Sequence, residues 1–322
     1  MSVKLRLVQI TDIHLGHAAA AADGMVLPDR AGALLDAAVA EIAELAGVDA
    51  VIVSGDLVSG GTPAELADVA ARLDRLRVPW YAVPGNHDTA WPPAAGKLDR
   101  HAFYTQLNGR SQYDDAATRG CWRVQLQPDI CLIGIDSNIV GDWAGEVDAA
   151  QLAWLEGALA AEAARVVIVT VHHPLYPTFG GWVNPTFIGF PWSNFFCRNG
   201  AAVEAILDHY PAVCAVISGH DHLNRVDARH GRLHLATAGL SSYPLVYRIL
   251  DLHADGARWE WRWETCSPAP ASLLETARQR FIASDFAREY DPADWDGAAG
   301  LAAGRPEDQI GAWRFTAPPH AR

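Results

Sequence analysis

Short apolar runs alternate along the chain with segments of helical spacing, and this alternation predicts parallel β-α-β units. In the N-terminal part, apolar and β-branched runs predict strands at residues 3–10, 48–53 and 80–83. The segments between them have apolar positions at helical spacing and predict helices at residues 30–46 and 63–76. This part of the chain is therefore expected to form an open α/β sheet.

The same alternation continues in the second half of the chain. Further strands are predicted at residues 123–127, 130–135, 166–171, 213–217 and 233–236. Helices are predicted at residues 148–163, with Asp148 near the N-terminus, and at residues 201–210. Residues 247–252 and 258–263 flank an Asp-Gly pair and predict a β-hairpin.

Three segments depart from this pattern. Residues 91–119 show no clear period apart from one short helix predicted at residues 100–107. Residues 176–196 concentrate aromatic side chains among Gly, Pro and Asn, which predicts a long aromatic loop. Such a loop covers a site, forms a subunit interface or packs on its own domain. Beyond Cys266, one amphipathic helix is predicted at residues 272–290, followed by an irregular tail that contains Trp295 and Trp313.

We accordingly expect a catalytic unit at residues 1–266 and a C-terminal extension at residues 267–322. The tryptophans of the extension predict that it packs on the catalytic unit or on a neighbouring subunit, so the chain is compatible with a homo-oligomer. Half of the 322 residues are apolar and 20% are charged, which is typical of a globular protein with a sizeable core.

The charge and cysteine content exclude several classes of function. The formal net charge is -13 and the sequence contains no run of Lys or Arg, which disfavours duplex nucleic acid as a partner. Five scattered cysteines without a C-x-x-C pair argue against a disulfide framework and a thiolate zinc site. No apolar stretch reaches the ~20 residues needed to span a membrane, and no leader pattern precedes the first strand. We therefore expect a cytoplasmic protein without a membrane partner.

Polar motifs follow five of the predicted strands at their carboxyl ends, where open α/β sheets bind ligands. Asp12 and His14 are two residues apart, so an extended backbone would place them on one face. Each motif alone also fits turn or capping chemistry. The recurrence of imidazole, carboxylate and amide groups favours a metal site instead. The motifs are Asp12-x-His14, Gly55-Asp56, Gly85-Asn86-His87-Asp88, His172-His173 and Gly219-His220-x-His222.

The order and composition of these motifs resemble the calcineurin-like metallophosphoesterases over residues 5–266. The resemblance implies an α/β fold, a two-sheet α/β/β/α sandwich, here with the aromatic insertion loop and a C-terminal helical tail. It also implies two metal ions. One would be held by Asp12, His14 and His222, the other by Asn86, His172 and His220, and Asp56 would bridge them. Mixed imidazole and oxygen ligands suit Fe, Mn, Zn or Co better than Mg or Ca.

The resemblance further implies that a metal-bound hydroxide attacks the phosphorus of a small or medium phosphodiester. His87 would then contact a non-bridging phosphate oxygen or protonate the leaving group. Asp88 is expected to orient His87 or a metal-binding histidine, and His173 is expected to be structural.

Within the family, residues 55–61, 84–88 and 171–174 look most like the bacterial cyclic-nucleotide and glycerophosphodiester phosphodiesterases. Two other functions stay open on the sequence alone. The first is a phosphomonoesterase or phosphatase on the same metal centre, although we find no Arg beside the motifs. The second is a non-catalytic scaffold, which the complete set of predicted ligands disfavours.

Overall fold

The structure is a computed structural model that describes residues 2–17, 24–89, 95–107, 120–162, 165–178, 186–187, 190–290 and 295–316. Much of the segment at residues 91–119 and the middle of the aromatic loop lie outside the described residues. The strands are β1 (Ser2–Ile10), β2 (Ala50–Val53), β3 (Trp80–Ala82), β4 (Trp122–Gln127), β5 (Ile130–Ile135), β6 (Val166–Val171), β7 (Thr186–Phe187), β8 (Phe190–Pro191), β9 (Val213–Ser218), β10 (Arg225–Arg229), β11 (Arg232–Ala236), β12 (Tyr247–Asp255), β13 (Arg258–Cys266) and β14 (Ile310–Thr316).

Helices cover much of the remaining described chain, and a 3₁₀ helix spans Trp192–Phe195. The α-helices are α1 (Pro28–Glu44), α2 (Pro63–Leu73), α3 (Asn86–Thr89), α4 (Arg100–Leu107), α5 (Ala149–Ala161), α6 (Gly200–Asp208), α7 (Ala271–Ala283), α8 (Asp285–Tyr290), α9 (Trp295–Ala303) and α10 (Pro306–Gln309).

Two six-stranded mixed sheets form the centre of the molecule. The first has the order β14-β13-β12-β1-β2-β3, in which β1, β2 and β3 are parallel and the other pairs are antiparallel. The second has the order β10-β11-β9-β6-β5-β4, in which β11, β9, β6 and β5 are parallel. The predicted parallel units are therefore present, but antiparallel strands extend each sheet.

Buried apolar side chains separate the structure into four layers. Between the sheets, Leu7 and Ile52 of the first sheet pack in one cluster with Ile168 and Ile217 of the second. Helices α1, α2 and α4 cover the outer face of the first sheet, and α5 and α6 cover that of the second. This arrangement is an α/β/β/α sandwich, and the predicted fold class is confirmed.

Local sequence signals set the ends of the best-predicted helices. Thr62 caps α2 and forms a reciprocal capping box with Glu65, and Pro63 occupies the first turn. Asp148 caps α5 and forms the same kind of box with Gln151. These helices begin within one residue of the predicted positions because the capping side chains satisfy backbone N–H groups that the helix leaves unpaired.

The C-terminal region differs from the prediction. The single helix predicted at residues 272–290 is wrong, because α7 and α8 are separate and Ser284 lies between them. The irregular tail is also wrong, since residues 295–316 contain α9, α10 and β14. Strand β14 pairs with β13 from Ile310 opposite Glu264 to Thr316 opposite Arg258. The described part of the extension thus packs on its own chain. No described helix has the length and apolarity needed to cross a membrane.

Candidate metal centre

Loops at the carboxyl ends of parallel strands in both sheets carry the predicted site residues. The loops after β1, β2 and β3 belong to the first sheet, and those after β6 and β9 belong to the second. All of the predicted metal ligands are buried. They are Asp12, His14, Asp56, Asn86, His172, His220 and His222.

A left-handed backbone recurs at these positions. Strand β1 ends at Ile10, and Asp12 and His14 have φ values of 49° and 46°, so the extended geometry expected for this pair is wrong. Asp56, His220 and His222 also have positive φ values. Such conformations cost about 1–3 kcal/mol each and cluster at functional sites. Among the described non-glycine residues, only His230 and Leu245 share this property.

Two motif glycines permit close approach of the loops. A Cβ atom on Gly85 would lie 2.2 Å from Oδ1 of Asp56, and one on Gly219 would lie 2.5 Å from Oδ2 of Asp12. Both contacts are far inside van der Waals distance. Glycine is therefore required at both positions, at Gly85 for two loops of the first sheet to meet and at Gly219 for a loop of the second sheet to approach Asp12.

The first group of converging side chains contains Asp12, His14 and His222. Nε2 of His222 lies 3.3 Å from Oδ1 of Asp12. Nε2 of His14 lies 3.2 Å from Nε2 of His222. Two imidazole nitrogens and a carboxylate oxygen that point at one another form a donor set suited to a transition metal.

The second group surrounds His172. Nε2 of His172 lies 3.2 Å from Oδ1 of Asn86 and 3.5 Å from Oδ2 of Asp56. The same Oδ2 atom of Asp56 lies 3.5 Å from Nε2 of His14 in the first group. Asp56 therefore lies between the two groups. The ring centroid of His220 lies 5.0 Å from that of His172.

Hydrogen bonds at the outer nitrogens orient three of the imidazole rings. Nδ1 of His172 lies 2.8 Å from the carbonyl oxygen of Ser54, and Nε2 of His220 lies 2.9 Å from that of Asn194. A carbonyl oxygen accepts only, so each of these nitrogens carries a proton, and the other nitrogen of the neutral ring has the lone pair that binds a metal. Nδ1 of His222 contacts the hydroxyl of Ser242 at 2.6 Å.

Electrostatics favour a cation in this cluster. Burial raises the pKa of Asp56, but His172, His87 and His14 outweigh this effect and hold the pKa well below its usual range. Burial and the neighbouring His172 lower the pKa of His220 to about 3. Burial lowers the pKa of His172, but Asp56 outweighs this effect and raises the pKa to about 9, so a metal ion would displace a proton from that ring. An ionised carboxylate and a neutral imidazole are the forms that bind metal ions. The residues present therefore fit a pair of metal ions.

His87 and Asp88 lie beside the cluster. The ring of His87 packs edge-on against that of His14, with 4.7 Å between the ring centroids. Nδ1 of His87 lies 3.5 Å from the carbonyl oxygen of Ser59. We expected Asp88 to orient a histidine. In the described hydrogen bonds its carboxylate instead accepts the backbone N–H groups of Val58 and Gly85. Asp88 thus joins the loops after β2 and β3.

His173 and the loop after β5 support the cluster from behind. Both ring nitrogens of His173 have partners, namely the Ser137 hydroxyl at 2.7 Å and the carbonyl oxygen of Trp143 at 3.1 Å. The side-chain Nδ2 atom of Asn138 donates to the carbonyl oxygen of Gly85 at 2.8 Å. These contacts leave His173 no ring nitrogen for a metal.

A cavity of about 350 Å³ opens above the cluster. Its floor includes His14, Asp56, Asn86 and His87. Its outer wall comes from four separate parts of the chain and includes Met25, Val26, Trp143, Phe195 and Ser284 to Phe286. The sequence analysis did not place Trp143 or residues 284–286 at the site. The local sequence signal for a new helix near residue 285 is Ser284, because serine is a common residue at helix N-termini.

A sequence profile described as calcineurin-like phosphoesterase matches residues 5–224, which include every predicted ligand. The chain belongs to this family. The family expected from the motifs is thereby confirmed. Family membership and the converging His and Asp groups together indicate a metal-dependent phosphoesterase centre.

Bacterial phosphodiesterases are among the relatives of this family member. The chain is 28% identical to the glycerophosphodiester phosphodiesterase GpdQ of Enterobacter lignolyticus (strain SCF1) over 211 residues, 62% of this chain and 64% of GpdQ. It is 27% identical to the 3',5'-cyclic adenosine monophosphate phosphodiesterase CpdA of Escherichia coli (strain K12) over 267 residues, 79% of this chain and 87% of CpdA. The chain thus spans slightly less than two thirds of GpdQ and most of CpdA.

Solved structures agree with the fold. A dimetal phosphatase from Danio rerio superposes with a TM-score of 0.65 at 17% identity and covers 83% of this chain and 98% of its own. The purple acid phosphatase PPD1 from yellow lupin gives a TM-score of 0.54 at 15% identity, over 81% of this chain and 51% of its own. At these identities the likeness supports the two-sheet fold alone.

Proposed function

We propose that this chain is a binuclear metal-dependent phosphodiesterase that hydrolyses a small or medium phosphodiester. The observation that carries the proposal is the position of Asp56. Its Oδ2 atom lies 3.5 Å from Nε2 of His14 and 3.5 Å from Nε2 of His172, between two groups of converging ligands. A carboxylate in this position can bind two ions at once, at the ~3.5–4 Å separation used in two-metal hydrolysis.

The proposal assigns three further ligands to each ion. Asp12, His14 and His222 would hold one ion through the atoms that already face one another. Asn86, His172 and His220 would hold the other, with Oδ1 of Asn86 beside Nε2 of His172. The ligand types favour Fe, Mn, Zn or Co. When bound, such ions polarise phosphoryl oxygens and lower the pKa of a water molecule.

The chain's own residues position the substrate around this centre. His87 lines the cavity, and its Nδ1 atom faces the Ser59 carbonyl, so Nε2 is left for a phosphate oxygen or the leaving group. Burial lowers the pKa of His87 to about 4. A bound phosphate anion opposes this shift because it favours the protonated ring. Asp88 holds the loops that carry Asp56 and His87 together through its bonds to Val58 and Gly85.

The cavity favours a diester over a monoester. Its described lining contains no Lys or Arg, whereas a monoester brings a second negative charge that a cationic side chain would stabilise. The names of the relatives GpdQ and CpdA add support for a phosphodiester substrate.

The proposal also covers the domain organisation and the cellular compartment. We assign catalysis to residues 1–266 and treat residues 267–322 as an extension of that unit. The five cysteines are free, which favours a reducing compartment such as the cytoplasm.

Substitution of Asp56 tests the proposal. The variant Asp56→Ala should lose metal and lower kcat/KM by roughly 10³-fold or more, because the shared ligand is removed. Metal content and turnover of bis(4-nitrophenyl) phosphate and 4-nitrophenyl phosphate are measured after chelation and reloading with Mn, Zn, Co or Fe. The wild type should have no activity after chelation, and after reloading its kcat/KM should be higher for the diester than for the monoester.

Asp49→Ala provides the matched control, since Asp49 immediately precedes β2 and Asp56 follows its other end. This control should retain metal and activity. Full diester turnover in Asp56→Ala would overturn the proposal, and a preference for the monoester would replace it with a phosphomonoesterase.

A further inference from the structure

Trp143 presents an aromatic surface to the cavity beside the proposed metal positions. Its indole ring lines the cavity and is partly exposed, whereas the nearby rings of Phe195 and Phe286 are buried. The centroid of the indole lies 5.7 Å from that of His220, at an interplanar angle of 44°. Since His220 belongs to the second group of proposed ligands, an ester group on a phosphate bound there is within reach of the indole.

Backbone contacts fix the loop that carries Trp143, independently of its side chain. The carboxylate of Asp142 accepts the N–H groups of Trp143 and Ala144 at 2.8 and 3.2 Å. The carbonyl oxygen of Trp143 lies 3.1 Å from Nε2 of His173. The ring itself packs edge-on against Phe195, with 4.9 Å between the centroids. The indole can therefore be replaced without removing the contacts that hold its loop.

A second set of contacts connects this loop to the residue that orients His220. The guanidinium of Arg198 donates from Nη2 to Oδ2 of Asp142 at 2.8 Å and to Oδ1 of Asn194 at 2.7 Å. The carbonyl oxygen of Asn194 in turn contacts Nε2 of His220 at 2.9 Å. The loop of Trp143 thus has a defined position relative to the metal cluster.

Met25 gives the outer wall a second side chain that favours an aromatic ligand. It lines the cavity, is partly exposed and packs, like Trp143, against the buried cluster that contains Phe195. Aromatic pairs in offset or edge-on arrangements bind more tightly than the burial of their area explains, and methionine sulfur contacts rings favourably. A saturated ring of the same size gains only the burial of its area.

We infer that Trp143 is a specificity-determining residue, which selects phosphodiesters whose ester group carries an aromatic ring over those with a saturated group. The ring of the ligand packs on the indole, with Met25 beside it, while the phosphate binds the ions. This inference rests on the proposed function and narrows the class of its substrates.

Several anionic groups face the cavity, so the test compares ligands of equal charge. Asp56 lies between the two proposed ions, and Asp221 and Asp285 also line the cavity. Ligands with the same single negative charge experience these carboxylates and the ions equally. The ratio of their dissociation constants therefore reports the contacts of the ester groups.

Dibenzylphosphinate and bis(cyclohexylmethyl)phosphinate provide such a pair. In both, a methylene group replaces each ester oxygen, so neither ligand can be hydrolysed. They are titrated by calorimetry into the metal-loaded wild type and variants. Trp143→Leu should lower the preference for the benzyl ligand, expressed as the ratio of the two Kd values, by about 3–10-fold because the aromatic contact is lost. Trp143→Phe retains a ring and should give an intermediate ratio.

Trp154→Leu is the matched control. Trp154 is also partly exposed, but it lies on α5 and does not line this cavity. The control should leave the ratio unchanged. Diethylphosphinate, which has no ring, should bind to the wild type and to Trp143→Leu with similar affinity. Trp143→Met also lacks a ring, and it replaces Trp143→Leu if that protein does not fold.

The outcomes separate this inference from the proposed function. A folded Trp143→Leu protein with the wild-type ratio, or an equal change of the ratio in Trp154→Leu, would overturn the inference alone if the wild type cleaves bis(4-nitrophenyl) phosphate. An equal loss of affinity for all three phosphinates in Trp143→Leu would also overturn it, since the role of the indole would then be structural. A metal-loaded wild type that neither cleaves that substrate nor binds any of the phosphinates would overturn both.

Discussion

Individual hydrogen bonds behind the imidazole rings determine how well the cluster is prepared for metal. His172 and His220 are held by backbone carbonyl oxygens, and His222 is held by the hydroxyl of Ser242. The motifs predicted which side chains converge, because carboxylates and imidazoles at strand ends are readable in sequence. They could not predict the contacts of Ser242 and of the Asn194 carbonyl oxygen. Serine hydroxyls and backbone carbonyls occur throughout the chain, and only the folded position of a loop decides which of them reaches a histidine ring.

Ser242→Ala should weaken metal binding by roughly 10–100-fold, because the ring of His222 loses the partner that orients it. The effect is measured by competition with a chromogenic chelator and does not depend on turnover. Ser267→Ala is the control, since the Ser267 hydroxyl forms a hydrogen bond away from the cluster, to the backbone carbonyl oxygen of Leu245. Equal metal affinity in the two variants would show that the Ser242 contact has no role.

At the scale of elements, the strongly patterned segments were predictable and the C-terminal ones were not. Strands β5 and β6 have continuous β-branched or apolar runs and match the prediction. Strand β14 contains Gly311 and Ala312 and owes its conformation to pairing with β13, a contact between distant parts of the chain. Strand β10 was missed for a related reason, because Arg225, Asp227 and Arg229 give it little apolar character.

A buried carboxylate connects the end of the chain to the second sheet. Asp308 accepts the backbone N–H of Val226 at 2.8 Å and two bonds from the guanidinium of Arg305. Burial raises the pKa of Asp308, but these bonds outweigh it and the net pKa is lowered. Its contribution to stability is therefore complete above about pH 4, the ordinary aspartate pKa, and is lost as the pH falls through the lowered value.

Asp308→Ala should destabilise the protein by about 2–4 kcal/mol, between the values for exposed and buried ion pairs, because the Val226 N–H and Arg305 lose a buried acceptor. Thermal unfolding at pH 7 measures the change. Glu307→Ala removes the neighbouring exposed carboxylate and should change Tm little. A Tm equal to that of the wild type in Asp308→Ala would contradict the role of this contact.

For the molecule as a whole, the extension behaves as part of the packed structure. Ala277 belongs to the core of the first sheet, and Phe281 and Phe286 form a cluster with Leu223 and Phe195. Indole Nε1–H of Trp263 in β13 donates to the carbonyl oxygen of Glu307 at 3.0 Å. The sequence could separate the extension by composition, but its docking surface depends on residues that are distant in the chain, such as Leu223 and Phe195.

A chain ending at Cys266 should accordingly be less stable than the full chain and expose apolar surface, because the partners of Leu223, Phe195 and Trp263 are removed. Thermal unfolding, dye binding and size-exclusion chromatography measure these effects. A chain that ends at residue 316 is the control and keeps β14. A monomeric, equally stable product of residues 1–266 would contradict this expectation.

The sharing of each proposed ion between the two sheets has a consequence for how the protein is made. His14 and His222, the two histidines of the first group, are separated by 208 positions in the chain. The other group needs His220 as well as Asn86. A nascent chain that has not yet emerged as far as residue 220 can complete neither group, and the first group needs residue 222 as well. If the proposed ligands hold the ions, metal binding would follow the assembly of both halves of the sandwich and would be a late event in biogenesis.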